Sequence, residues 1–154
     1  MLSATDRQVR TELGLGFRVD RATAALPQST AEALFTVAGG GCLVTLLLGE
    51  VTTVIQTQAC NTKLTVNPTA GTSGDVASVL DITADEVGTL YFPEGDGTAL
   101  VGVNAGTGFT AGVKQPFIVP VGTIDLDCAA SNTGAVKWSI FYVPLDAGAV
   151  IAAA

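Results

Sequence analysis

Three pairs of carboxylates lie close enough along the chain to act together: Asp125 with Asp127, Asp85 with Glu86, and Glu94 with Asp96. Asp125 and Asp127 alternate with Ile124, Leu126 and Cys128, so on a strand both acids share one face. Such a pair suits a hard cation or acid–base work, and it equally suits a solvated strand face. Glu94-Gly95-Asp96-Gly97 has the turn chemistry of a calcium loop without the spaced ligand series and closing glutamate of an EF-hand. It reads as a turn.

The chain has no histidine. That removes Ser-His-Asp and Cys-His catalysis, the usual general base near neutral pH and the commonest zinc ligand. Gly106-Thr107-Gly108-Phe109-Thr110-Ala111 fits the loose G-x-G-x-x-A pattern, but Gly112 and Pro116 interrupt the helix that a dinucleotide fold needs next. It reads as a surface loop. No P-loop, GxSxG or zinc-finger spacing occurs, so the residues predict no enzyme, no cofactor and no metal site.

Three cysteines, Cys42, Cys60 and Cys128, are far apart with no CxxC pair, and an odd count cannot close completely into intrachain disulfides. Their apolar neighbourhoods predict buried, reduced thiols and a fold that matures in a reducing cytoplasm. The aromatic residues mostly fall inside strand patterns, where core packing is the default.

The elements that carry these residues are short and β-rich. Of 154 residues, 48% are hydrophobic and only 14% charged, against the roughly 25% charge usual for soluble domains. The apolar material is enough for one core, and the shortage of charge predicts that part of the surface is covered by an interface. The start of the chain lacks an apolar signal-peptide core, and the longest apolar run, 42–48, is too short to span a bilayer.

Runs at 34–38, 42–48, 51–57, 62–66, 76–82, 89–92, 99–103, 116–121, 123–128 and 135–143 are broken by Gly, Pro, Asn and Asp. Gly49-Glu50 reads as a bulge or tight bend between two of them. In the last run Val136, Trp138, Ile140 and Tyr142 define one apolar face. The pattern predicts an all-β, antiparallel β-sandwich, jelly roll or small barrel over residues 34–146. The loops 69–75 and 104–112 connect its strands.

Residues 1–33 read as an N-terminal arm and lead-in, with a helical turn possible at 3–13 and Ser3 as its cap. Residues 147–154 read as an apolar tail that packs against a neighbour or frays. Residues 1–21 hold four of the seven basic side chains, Arg7, Arg10, Arg18 and Arg21, against Asp6, Glu12 and Asp20. The rest of the chain holds three lysines and eleven acids, a net of −8. An acidic body repels nucleic acid and anionic membranes. The arm's arginines fit an acidic protein partner, and a mixed-charge solvated strand accounts for them as well.

In whole stretches the chain resembles capsid decoration (cement) proteins of tailed bacteriophages: TELGLGFRVDRATAALPQST (11–30), LLGEVTTVIQTQACNTKLTVNPTAGTS (47–73), DITADEVGTLY (81–91) and VPVGTIDLDCAASNTGAVKWSIFYVPLD (119–146). The likeness is of texture and phrase over more than half the chain and brings no site residue with it. It implies a β-rich virion protein made in the host cytoplasm, which binds the major capsid protein on the head exterior. It also implies a homotrimer and an arm that grips the lattice. The rival reading is a carbohydrate- or receptor-binding β module of a phage head or tail, using the loops at 69–75 and 104–112.

Overall fold

The computed structural model describes residues 3–5, 16–106 and 115–154. Eleven strands run in order: β1 (Phe17–Ala25), β2 (Ala31–Ala38), β3 (Cys42–Thr53), β4 (Asn61–Pro68), β5 (Gly74–Asp81), β6 (Leu90–Phe92), β7 (Val101–Val103), β8 (Phe117–Val119), β9 (Gly122–Cys128), β10 (Ala135–Pro144) and β11 (Val150–Ala153). They form two antiparallel sheets. One has the order β1-β10-β3-β6-β7, with β8 also on β3; the other has the order β11-β2-β9-β4-β5. The protein is an open β-sandwich, and the barrel alternative is not realised. Among the described residues no helix is long and apolar enough to cross a membrane.

Alternation explains the packing. Val136, Trp138, Ile140 and Tyr142 of β10 are all buried, and they meet Val44, Leu47 and Val51 of β3 in the same core. The opposing sheet contributes Phe35 and Val37 from β2, Ile124 and Leu126 from β9, and Leu64 from β4. Burying each such side chain contributes about 1.5–3 kcal/mol. All three cysteines are free and buried, as their apolar settings predict. Burial pushes the Cys128 thiol up to about 12 and raises Cys42 as well, with the Asp146 carboxylate adding to the latter.

One side of the sandwich is bridged. Ser78 on β5 donates its N–H to Thr98 and accepts the N–H of Leu100, just ahead of β7. On the other side β1 and β11 face each other without pairing.

Three expectations need correction. The arm does not extend to residue 33: β1 lies along β10 over Phe17–Ala25, with Phe17 and Val19 against the core. Its inward positions are Phe17, Val19, Arg21 and Ala24, too faint an apolar period to stand out in the sequence. The apolar tail is a strand, β11, paired with β2 from Val150↔Ala38 to Ala153↔Phe35. Gly49-Glu50 is no bend, because β3 runs unbroken from Cys42 to Thr53. Gly49 sits there because the Trp138 ring lies over it: a Cβ at that position would come within 2.8–3.0 Å of the indole.

That contact predicts the effect of a single methyl. Gly49→Ala should lower the unfolding free energy by about 1–3 kcal/mol, the range for overpacking a filled core. Gly74→Ala, where an added Cβ meets nothing within 4 Å, should stay within about 0.5 kcal/mol in the same denaturant titration.

Asp81 ties the end of β5 to the start of β4. Its Oδ1 accepts the Thr83 hydroxyl at 2.6 Å, the Cys60 N–H at 3.0 Å and the Thr83 N–H at 3.1 Å. The Thr83 hydroxyl foremost, then the Cys60 N–H, hold this carboxyl below its ordinary 3.8. A lowered folded value means stability that is complete above the unfolded value and lost as pH falls through the folded one. Wild-type stability should therefore fall more steeply below about pH 4 than that of Asp81→Asn.

The buried thiols should resist labelling by a thiol reagent in native protein and react at all three positions once it is unfolded. Fast native labelling at all three would contradict the burial.

Candidate interaction surface

The two outer faces of the sandwich differ in chemistry. On the five-stranded sheet the outward positions of β4 and β9 are polar, while Val79 of β5 and Val150 of β11 are exposed toward its two edges. Lys63 Nζ reaches Asp75 Oδ1 at 3.1 Å, and the Thr65 hydroxyl donates to the same oxygen. Asp125 and Asp127 stand in the same rows, opposite Thr65 and Lys63 on β4. The two acids do share a face, as their spacing predicts. Asp125 Oδ1 is buried without a hydrogen-bond partner, and among the described residues no three His, Cys, Asp or Glu side chains gather into a metal set.

The six-stranded sheet is different. Its register defines rows running across the strands. Ile118 of β8, Leu43 of β3 and Val143 of β10 form one row. Leu46, Phe141 and Arg18 form the next, followed by Leu48, Ser139 and Asp20. Leu90, Glu50 and Lys137 form the last. The leucines, Phe141 and Val143 are half-buried, and Ile118 is 66% exposed. Leu145, 50% exposed, is held at the same end by its N–H to the Gly41 carbonyl. One end of this face is thus aliphatic and aromatic.

The other end is charged and internally paired. Lys137 meets Glu50 at 2.9 Å, and Arg18 Nε meets Asp20 at 2.8 Å. The Ser139 hydroxyl donates to Asp20 at 2.6 Å. That bond, with Arg18 second, lowers the Asp20 carboxyl from its ordinary value. The Arg18 guanidinium also lies 5.8 Å from the Phe141 ring centroid. Exposed pairs of this kind contribute little to stability.

A register shift creates the apolar end. Between Phe141 and Tyr142 one residue of β3 is skipped, Thr45, whose hydroxyl bonds the Phe141 carbonyl. The shift turns Leu46 outward while Val44 and Leu47 stay in the core. The run 42–48, apolar at six of seven positions, was the signal for this surface. A strand apolar on both faces is one that expects cover on both.

The arginines singled out from the sequence separate. Arg18 belongs to this face. Arg21 is half-buried and lines a small cavity with Glu32, Leu126 and Trp138, its Nε buried and unbonded. Arg7 and Arg10 lie outside the described residues, as do most of the helical turn at 3–13 and residues 107–112 of the 104–112 loop.

Asp85 accepts the buried Tyr91 hydroxyl at 2.5 Å and, with Glu86, Thr89 and Asn104, borders a polar cavity of about 260 Å³. Burial first, then Asp85, push the Tyr91 phenol far up, which keeps it a hydrogen-bond donor. Glu94 and Asp96 sit in a turn, where Asp96 receives the Thr98 N–H at 3.1 Å. No aromatic ring among the described residues is exposed, so they supply no stacking platform for a sugar.

Comparison of the chain with protein-family models, with curated proteins and with solved structures finds no match.

Proposed function

We propose that this chain is a structural virion protein that decorates and stabilises a phage capsid, docking on the major capsid protein through the outer face of its six-stranded sheet. One observation carries the reading: that face presents Leu43, Leu46, Leu48, Phe141, Val143 and Ile118 side by side, where a strand of a solvated sheet would alternate to polar residues. Clustered apolar side chains on a charge-poor body are the chemistry of a surface that meets another protein. The paired charges at Arg18–Asp20 and Lys137–Glu50 would form its polar rim. The resemblance in the quoted stretches adds the kind of assembly.

The test uses capsids stripped of this protein, mixed with full-length chain and pelleted. Leu46→Glu should leave circular dichroism and the unfolding midpoint near wild type, since Leu46 lies outside the core, yet cut retention on the particle at least about tenfold. That factor corresponds to about 1.4 kcal/mol of lost contact. Deleting residues 1–15 separates the contribution of the arm, with Arg7 and Arg10, from that of the face. Retention unchanged by Leu46→Glu would remove the face from the docking reaction, and no binding by wild type would remove the capsid.

A further inference from the structure

Strand β11 is the edge of the five-stranded sheet, and though only four residues long it has no charge, proline or bulge to blunt that edge. It holds Val150, Ile151, Ala152 and Ala153, with no register shift. The edges at β1, β5 and β7 are defended. β1 carries Arg18, Asp20 and Arg21 and a register shift between Arg21 and Ala24. β5 begins and ends near Asp75 and Asp81, and its Ser78 is already bonded to the segment before β7. β7 is three residues long with glycine at its centre.

The register shows which groups of β11 are open. Ala154 donates its N–H to the Leu34 carbonyl, continuing the ladder with β2. In an antiparallel ladder bonded and non-bonded residues alternate. Ala152 and Val150 therefore face β2, while Ile151 and Ala153 turn their N–H and C=O to the free edge. Beside this edge runs a groove of about 610 Å³ lined by Phe17, Tyr142, Pro144, Ala149 and Val150. Its one acid, Asp146, is held by the Gly41 N–H at 2.8 Å.

We infer that β11 pairs with β11 of a second copy of this chain, antiparallel about a two-fold axis through Ala152. The two open residues are two positions apart, so the pairing is self-complementary. Ile151 exchanges N–H···O=C bonds with Ala153 of the partner subunit, and Ala153 does so with the partner's Ile151. Ala152 then lies opposite its own copy in a non-bonded pair, where Cα atoms approach to about 4.5 Å and a methyl is the side chain that fits. Ile151 stays in the core, and no charge is brought against a like charge across the strands. An interface of this kind is isologous and closes at two copies.

The net charge of −7 on each copy opposes association at long range. Pairing should therefore tighten as salt rises toward physiological strength, where the Debye length is about 8 Å. The inference concerns the chain alone and does not rest on the capsid reading: Leu46→Glu should leave it intact.

The experiment is sedimentation equilibrium of the full chain from about 10 μM to 1 mM, at low and at physiological salt. The expected result is a concentration-dependent rise from 15.5 kDa toward twice that mass. Ala153→Pro removes an N–H that points to the free edge and none that bonds β2, so it should weaken the dimer at least tenfold. Ala152→Lys, which sets two lysines face to face across the axis, should weaken it as well, most at low salt. It also carries the test should the proline lower the unfolding midpoint. A mass of 15.5 kDa at every concentration overturns the inference. So does a dimer or a trimer whose mass is indifferent to both substitutions.

Discussion

The ladder between β3 and β10 is the interaction on which the rest of the molecule hangs. It runs from Ala135↔Thr53 to Pro144↔Cys42, nearly the whole of both strands. Every other strand of that sheet is attached through it: β1 uses the far edge of β10, while β6 and β8 share the far edge of β3 and β7 follows β6. Trp138 lies against Gly49 across this pair, a fit that requires the absence of a side chain on β3. The inner side of the ladder supplies eight core residues, among them Trp138 and Tyr142, and the shift at Phe141/Tyr142 decides what its outer side shows. Stability and surface chemistry are therefore set by the same register.

Much of this architecture could be read from the residues. β10 announces itself because Val136, Trp138, Ile140 and Tyr142 are large and strictly alternating. β9 alternates just as clearly. β1 and β11 escaped because their inward positions are few or small: Phe17 and Val19 in one, Ile151 in the other. Such strands are held by pairing with a neighbour, and pairing leaves no mark in a local pattern. Gly49 misled for a related reason, since glycine marks a bend in sequence but serves a distant ring in space. The interaction surface was half legible. The run 42–48 is apolar but for Thr45, and which of its leucines face outward depends on the skipping of that threonine opposite Phe141. Arg18 and Arg21 looked alike in the sequence, and strand alternation sends one outward and the other toward Trp138.

The function proposed here follows from an asymmetry. The outer face of the five-stranded sheet carries Lys63, Asp75, Asp125 and Asp127 with valines only toward its edges, and the six-stranded sheet turns out adjoining leucines and a phenylalanine. The body carries a net charge of −7, and its contiguous rows of leucine and phenylalanine lie on the six-stranded sheet. The carboxylate pairs fit the same picture. Asp125 and Asp127 belong to the wet face, while Asp85 is occupied by Tyr91 as a structural hydrogen bond.

Side-chain footprinting with hydroxyl radicals, on the free chain and on the chain bound to particles, tests the docking claim most directly. The account predicts that Leu46, Leu48, Phe141 and Ile118 lose reactivity on binding, while Val79 at the opposite sheet's edge, 49% exposed, keeps its own. Protection at Val79 with Phe141 and Ile118 unchanged would put the contact on the other face and contradict it.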